Sequence, residues 1–351
     1  MLESTIDGFL KERVPIARVR ELRDESCAND REIWKELAEL GVTGILIPET
    51  QGGIEFTLLD AALVSQLLGY AVAPTPFLTS GVMVPIALGA VDVDDAGGWL
   101  AGIASGELTF GLAVTEAFSI REDAGVVLEN NALSGKAMMA LDARGADYLL
   151  LAIGSDRLAV IRGDAPGLDL TPLATIDTTR CTSELLLDGV APEAVFEGAG
   201  VAIDRMLDAG RIALAADTLG ACGAMIEQAV SYAGERVQFD RLIGSFQAVK
   251  HMCAEMIAEL EPARSLLWYS AHSFDAIPDE APLMACHVLA HISEIGREIA
   301  SVATQVHGGI GWTDEQNLHF WYKRIGVARH LLGGPELLRN RAAELQELPV
   351  A

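Results

Sequence analysis

The chain sorts its secondary-structure signals into three blocks, and that segregation limits its architecture more than any single motif. Residues 1 to about 105 carry helical periodicity, residues from about 106 to 200 alternate short β-prone runs with turns, and from about 201 onward the pattern is helical again. Runs kept apart in this way argue against an alternating βαβ sheet and for distinct helical and β domains. With 351 residues, 50% of them hydrophobic, the chain has apolar material for a large buried core and two or three domains.

Within the first block, Ile33, Leu37 and Leu40 share one helical face with Trp34 beside them, and Gly41 ends the helix. A second helix is expected over Leu59–Ala71, after the Gln51-Gly52-Gly53 turn; Pro74-Thr75-Pro76 stops it, and a third starts at Val82. The β-prone runs are Thr109–Val114, Gly125–Leu128, Ala146–Ile153, Leu158–Ile161 and Ser183–Leu187, at a spacing that fits a small β-sandwich or barrel. The last block predicts helices over Leu207–Ala233, Phe246–Ser273 with a break at Pro262, and Leu283–Val306.

Charge narrows the partners. Twenty-five basic residues against 50 acidic ones leave a net charge of −25, a field that repels phosphate backbones and anionic membrane surfaces, so no nucleic acid is expected. An anionic ligand would need a local cluster of arginines and backbone N–H groups. The five cysteines, Cys27, Cys181, Cys222, Cys253 and Cys286, are odd in number, far apart and free of any C-x-x-C pair, which argues against a disulfide framework or zinc site and for a reducing cytosol. His291, His319 and His330 show no metal-site spacing, and no metal is expected. Met1 to Asp7 has neither a basic nor an apolar signal region, and no uninterrupted apolar run reaches ~18 residues, so neither a signal peptide nor a membrane span is expected and the location expected is cytoplasmic.

Two stretches of the last block carry chemistry. In the segment from Arg236 to Gln247, Arg236 closes a helix and offers a planar, permanently charged fork suited to a pyrophosphate. Phe239 supplies an aromatic plane and Gln247 an amide. Taken singly, an arginine at a helix end complements the helix dipole and Phe239 is core; the ordered string, continuing to His251, is what points to a ligand. In Gln305-Val306-His307-Gly308-Gly309-Ile310-Gly311 the glycines let backbone approach a ligand closely. The same glycines also fit a helix cap and turn, and no strand precedes them, so this is not the dinucleotide fingerprint. Trp312 to Glu315 and Arg324 follow. Such sites hold a long, pyrophosphate-bearing cofactor rather than a small metabolite.

Together and in this order, these segments resemble the acyl-CoA dehydrogenase family, over essentially the whole chain. Gly41 to Glu49 followed by Gly52-Gly53 resembles an early segment of that family, and Val114-Thr115-Glu116 resembles the start of its Val-Thr-Glu-Pro strand. The resemblance implies an α+β fold: an N-terminal helical domain (1–105), a middle β-sandwich or barrel domain (106–200) and a C-terminal four-helix bundle (201–351) that binds flavin and builds the oligomer interface. It implies FAD held across a dimer interface, with contacts from Arg236, Phe239, Gln247, Gln305, Gly308, Gly309 and Thr115. It further implies α,β-dehydrogenation of an acyl-CoA thioester, a base taking the α-proton while the β-hydrogen leaves as hydride to the flavin, and reoxidation by an electron-transfer flavoprotein.

The chain departs from that pattern at the base. Most of the family places a Glu nine residues past the motif arginine; counted from Arg324, that position is Gly333. Another branch places it one residue before an arginine that resembles Arg211, and that position is Gly210. Glycine cannot abstract a proton. After Val114-Thr115-Glu116 the chain continues Ala117-Phe118-Ser119, which alters a ligand loop, and Met139-Ala140-Leu141 stands where the family has Trp-Ile-Thr facing the flavin. The segment from Asp142 to Ala152 resembles short members that act as subunits of heteromeric, steroid-type acyl-CoA dehydrogenases, mixed tetramers in which one chain contributes cofactor contacts and the other the base. Asp217, seven residues and two turns past Gly210 on the same helix face, is the candidate replacement base; a structural acid paired with an arginine or a backbone group is the commoner role for such a residue. Asp208 and Glu336 lie nearer the empty positions but out of helical phase. His307 is expected to pack or to bond backbone, and His251 to face a helix interface. Three functions stay open: a dehydrogenase subunit completed by a related partner, a non-catalytic scaffold subunit, and a flavin oxidase or monooxygenase on the same fold.

Overall fold

A computed structural model describes residues 2–24, 30–91, 96–119 and 123–348; Cys27 lies outside them. Twelve α-helices are described: α1 (Leu2–Arg13), α2 (Ile16–Asp24), α3 (Arg31–Glu39), α4 (Leu58–Tyr70), α5 (Val84–Gly89), α6 (Ala96–Ala104), α7 (Thr115–Phe118), α8 (Gly200–Glu235), α9 (Gln247–Ala276), α10 (Ala281–His307), α11 (His319–Ala328) and α12 (Pro335–Leu345). The chain forms two compact units, one from residues 22–61 and 74–211, the other from 1–21, 62–73 and 212–351.

The first unit is built on a sheet of β1 (Phe110–Ala113), β2 (Gly125–Glu129), β3 (Ala132–Leu141), β4 (Tyr148–Ile153), β5 (Arg157–Arg162), β6 (Leu168–Pro172), β7 (Thr182–Val190) and β8 (Ala194–Phe196). The order is β6-β7-β3-β1-β4-β5-β8, with β2 on β3. All pairs are antiparallel except β1 with β4, where Phe110 faces Tyr148. The five β-prone runs are strands, joined in one hydrogen-bonded network. The longest strand, β3, has no β-prone run: it is rich in alanine, and a bulge between Ala137 and Ala140 interrupts its register, with Met139 at φ +54°. Leu133, Ala137, Leu149, Leu151, Ile161, Leu185 and Leu187 fill the core against the sheet. Alongside it, α3 buries Ile33, Trp34 and Leu37, capped by Asp30, whose carboxylate accepts from the Glu32 and Ile33 N–H groups. Arg31 then reaches both Asp147 oxygens at 2.7 Å, and Asp147 also accepts from Thr109 N–H at 2.8 Å. The helix expected from Val82 begins earlier, as a π-helix over Phe77–Met83 that runs into α5.

The second unit is helical. The 30-residue α9 runs unbroken through Pro262, contrary to the break read from the sequence. The reason is position: Pro262 and Ala258, whose carbonyl loses its helical donor, are both solvent-exposed, so the carbonyl left without that donor lies on the face open to solvent. The backbones of α4 and α8 nearly touch. A Cβ on Gly69 would lie 1.9 Å from the Asp217 carbonyl oxygen, and one on Gly220 would lie 1.9 Å from that of Gln66; only glycine permits this crossing. The 36-residue α8 is long and apolar enough to cross a membrane by length and composition, yet its most apolar window is 94% buried within the protein, the pattern of a core helix. Cys222 and Cys253 are free thiols, and no cluster able to hold a metal is present among the described residues.

Candidate cofactor site

The segment from Arg236 to Gln247 folds back on itself at the end of α8. Val237-Gln238 and Arg241-Leu242 pair as a two-stranded antiparallel hairpin. Its two-residue loop, Phe239-Asp240, has φ of +53° and +60°, the type I′ geometry that normally selects Asn-Gly. Phe239 thus accepts a backbone cost of about 1 kcal/mol, and its side chain is 87% exposed at the tip; the core role open to a lone Phe does not apply. Ile243 N–H donates to the Arg236 carbonyl at 2.8 Å, closing the loop and returning the chain to Gln247, the first residue of α9. Phe239 and Phe246 meet edge to face at 6.2 Å, and the Arg241 guanidinium lies 3.8 Å over the Phe246 ring. Arg236, Phe239 and Gln247 are all exposed along this structure, and Gln247 Nε2 lies 3.5 Å from His251 Nε2.

The second motif ends α10. Gln305 is exposed, and Gly308 has φ +66°. A Cβ on Gly308 or Gly309 would meet nothing within 4 Å, so packing within the chain does not require the bare turn at Gly309. His307 just before it is buried, donates from Nδ1 to the Ala303 carbonyl at 2.8 Å, and stacks on Tyr232 of α8 at 4.7 Å with ring planes 21° apart. The glycine turn is thereby tied to the last turn of α8, whose next residue is Arg236. A guanidinium, two amides and an aromatic plane, all on one unit, form a donor set suited to a flavin dinucleotide, while the Gly308 N–H is taken by the Thr304 and Gln305 carbonyls. Thr115 belongs to the other unit, as the first residue of α7; its neighbour Glu116 accepts from the Met138 N–H at 2.9 Å. Leu141 there is 6% exposed and pairs with Leu112 and Thr182.

No carboxylate stands at either expected base position. Gly333 is buried with φ +97°, and a Cβ on it would lie 3.1 Å from Leu337. Gly210 lies in α8 with Met83 against it: a Cβ would be 2.6 Å from the Met83 sulfur and 2.7 Å from its methyl. The π-helix places that thioether there. Asp217 is 5% exposed and gripped by Arg324, from Nε at 2.9 Å and Nη2 at 2.6 Å. This bidentate pair makes it the structural acid of the two alternatives and argues against its role as base. Asp208 is tied to buried Arg211 at 2.9 Å, and the Glu336 side chain is 76% exposed, 3.7 Å from Arg329. The Asp217–Arg324 and His307–Tyr232 pairs span 107 and 75 residues respectively, so no local pattern announces them.

Family models for the acyl-CoA dehydrogenase N-terminal and C-terminal domains match residues 1–107 and 197–345. The acyl-CoA dehydrogenase IpdE2 of Mycobacterium tuberculosis is 30% identical, covering 99% of this chain and 98% of its own length. Among solved structures, a Tcur3481-Tcur3483 steroid ACAD variant is 27% identical with a TM-score of 0.88, over 99% of this chain and 96% of its own. The ChsE4-ChsE5 complex from Mycobacterium tuberculosis is 25% identical with a TM-score of 0.90, over 99% and 97%. With sequence match, fold and motif geometry in agreement, the chain belongs to the acyl-CoA dehydrogenase family of flavoprotein oxidoreductases.

Proposed function

We propose that the chain is the cofactor-anchoring subunit of a heteromeric acyl-CoA dehydrogenase, with a related subunit carrying the base. The observation that supports this most directly is an asymmetry: the Arg236–Gln247 hairpin and the Gly308–Gly309 turn are built and exposed, while Gly210 and Gly333 hold no carboxylate and Asp208 and Asp217 are committed to arginines. Arg236 would neutralise the pyrophosphate of FAD, Gln247 and Gln305 would bond its polar groups, Phe239 would cover an apolar face, and the bare glycine turn would let the cofactor approach the backbone closely. Bound FAD supplies the acceptor for the β-hydrogen of the thioester. The α-proton goes to the partner's carboxylate, because this chain's own candidates are glycines or paired acids. Similarity to a steroid ACAD and to the ChsE4-ChsE5 complex favours a ring-bearing CoA thioester and a mixed assembly. An electron-transfer flavoprotein is the proposed electron acceptor, and the cytoplasm the proposed location.

Co-expression with related subunits is the test. The chain purified alone should carry or take up flavin, with a band near ~450 nm, and should not bleach with acyl-CoA; a mixed assembly should bleach. Bleaching by the chain alone would refute the missing base. The closed space at Gly210 also favours a second reading, a scaffold subunit without chemistry, and a colourless chain that only stabilises its partner would select it.

A further inference from the structure

The two cofactor motifs come from elements far apart in sequence, and one side-chain contact joins their ends. Arg236 N–H donates to the Tyr232 carbonyl at 2.9 Å, so Tyr232 sets the backbone of the residue that carries the guanidinium. The Tyr232 ring stacks on His307, the residue before Gly308. The imidazole is fixed twice over: Nδ1 is bonded to the Ala303 carbonyl, and the ring face lies on the phenol. Burial lowers its pKa and keeps the ring neutral. Nε2 is buried and unbonded, so the contacts that hold the ring are the Nδ1 bond and the stack.

We infer that His307 and Tyr232 are positioning residues for the cofactor, a stacked clamp that sets the separation between the Arg236 guanidinium and the Gly308–Gly309 turn. This rests on the FAD site proposed above. Both ends of a dinucleotide site must hold their spacing before the ligand arrives, or ordering them subtracts from affinity. The clamp acts through Arg236 and the turn rather than by touching the chemistry.

The test is a double-mutant cycle on the full-length chain, stripped of flavin and titrated with FAD, alongside the thermal midpoint of each flavin-free variant. His307→Leu removes the stack and should weaken FAD binding by about tenfold. Tyr232→Leu, the second variant, should do the same from the other side. His307→Phe keeps an aromatic face and should bind within about threefold of wild type, with a thermal midpoint no lower. In an Arg236→Ala background the His307→Leu effect should largely vanish, since there is no guanidinium left to place. Unchanged FAD affinity in both Leu variants, a His307→Phe loss as large as that of His307→Leu, or simple additivity with Arg236→Ala would each overturn the clamp while leaving the FAD site standing. Loss of the folded state in both Leu variants would assign the pair to folding instead. Failure of the wild-type chain to take up FAD would overturn the site itself, and the clamp with it.

Discussion

Replacing Asp217 by Asn separates a structural acid from a catalytic one. The substitution is nearly isosteric but removes the charge opposite Arg324, which is 2% exposed and held by two bonds of 2.9 and 2.6 Å. The guanidinium would remain buried with one amide oxygen in place of two carboxylate oxygens. Breaking a buried pair from one side typically costs about 3–5 kcal/mol, because the surviving charge has lost its water and its partner. Urea unfolding of the full chain, followed by far-UV circular dichroism, should show the unfolding free energy falling by that amount, through a lower midpoint with the slope unchanged. Arg324→Met should cost about as much from the other side. The paired Asp217→Leu, Arg324→Met variant should recover most of the loss, since two apolar side chains of similar volume need no compensation. An Asp217→Asn protein with the wild-type midpoint would refute the structural assignment. If such a protein, assembled with its partner, also stopped bleaching with acyl-CoA, Asp217 would be the base after all.

Other outcomes follow from single geometric facts. Gly220→Ala sets a methyl 1.9 Å from the Gln66 carbonyl oxygen, so α4 and α8 must part, at a cost on the order of 3 kcal/mol or more, read as a lower thermal midpoint. Phe239→Asn relieves the left-handed strain at the hairpin tip and should stabilise the flavin-free chain by about 1 kcal/mol while weakening FAD uptake, measured by titration. His307 has a lowered pKa through burial, so below the ordinary imidazole range the unfolded chain binds a proton that the folded one refuses. Stability should therefore fall as pH drops through that range and level off once the folded ring also protonates, and His307→Phe should flatten the slope in unfolding midpoints taken across pH. Arg236→Lys should weaken FAD binding nearly as much as Arg236→Ala if the fork geometry matters, because an ammonium cannot bond a pyrophosphate bidentately.

Much of the proposed cofactor site was legible as local structure. The hairpin brings Arg236 to Gln247 within a dozen residues, and the glycines after Gln305 announce a bare turn. The amphipathic helices and most strands were legible through their periodicity. What escaped has a physical reason in each case. Strand β3 lacks β-branched residues and carries a bulge, so its pairing with β7 and β2, not its own propensity, makes it a strand. Pro262 reads as a helix break, but a solvent-facing carbonyl and the packing of the buried α9 face carry the helix through it. The π-helix at Phe77–Met83 has no sequence signature.

By itself, the sequence determined the block order of helices and strands, the family, and the loss of a carboxylate at two positions, because these depend on residue identity and short spacing. Only the tertiary structure decided what fills those positions and what the remaining acids do. Met83 reaches Gly210 from a helix more than a hundred residues earlier, and Arg324 claims Asp217 from a comparable distance along the chain. Whether a carboxylate is a base or a strut depends on which charge lies beside it in space, and that is settled by packing.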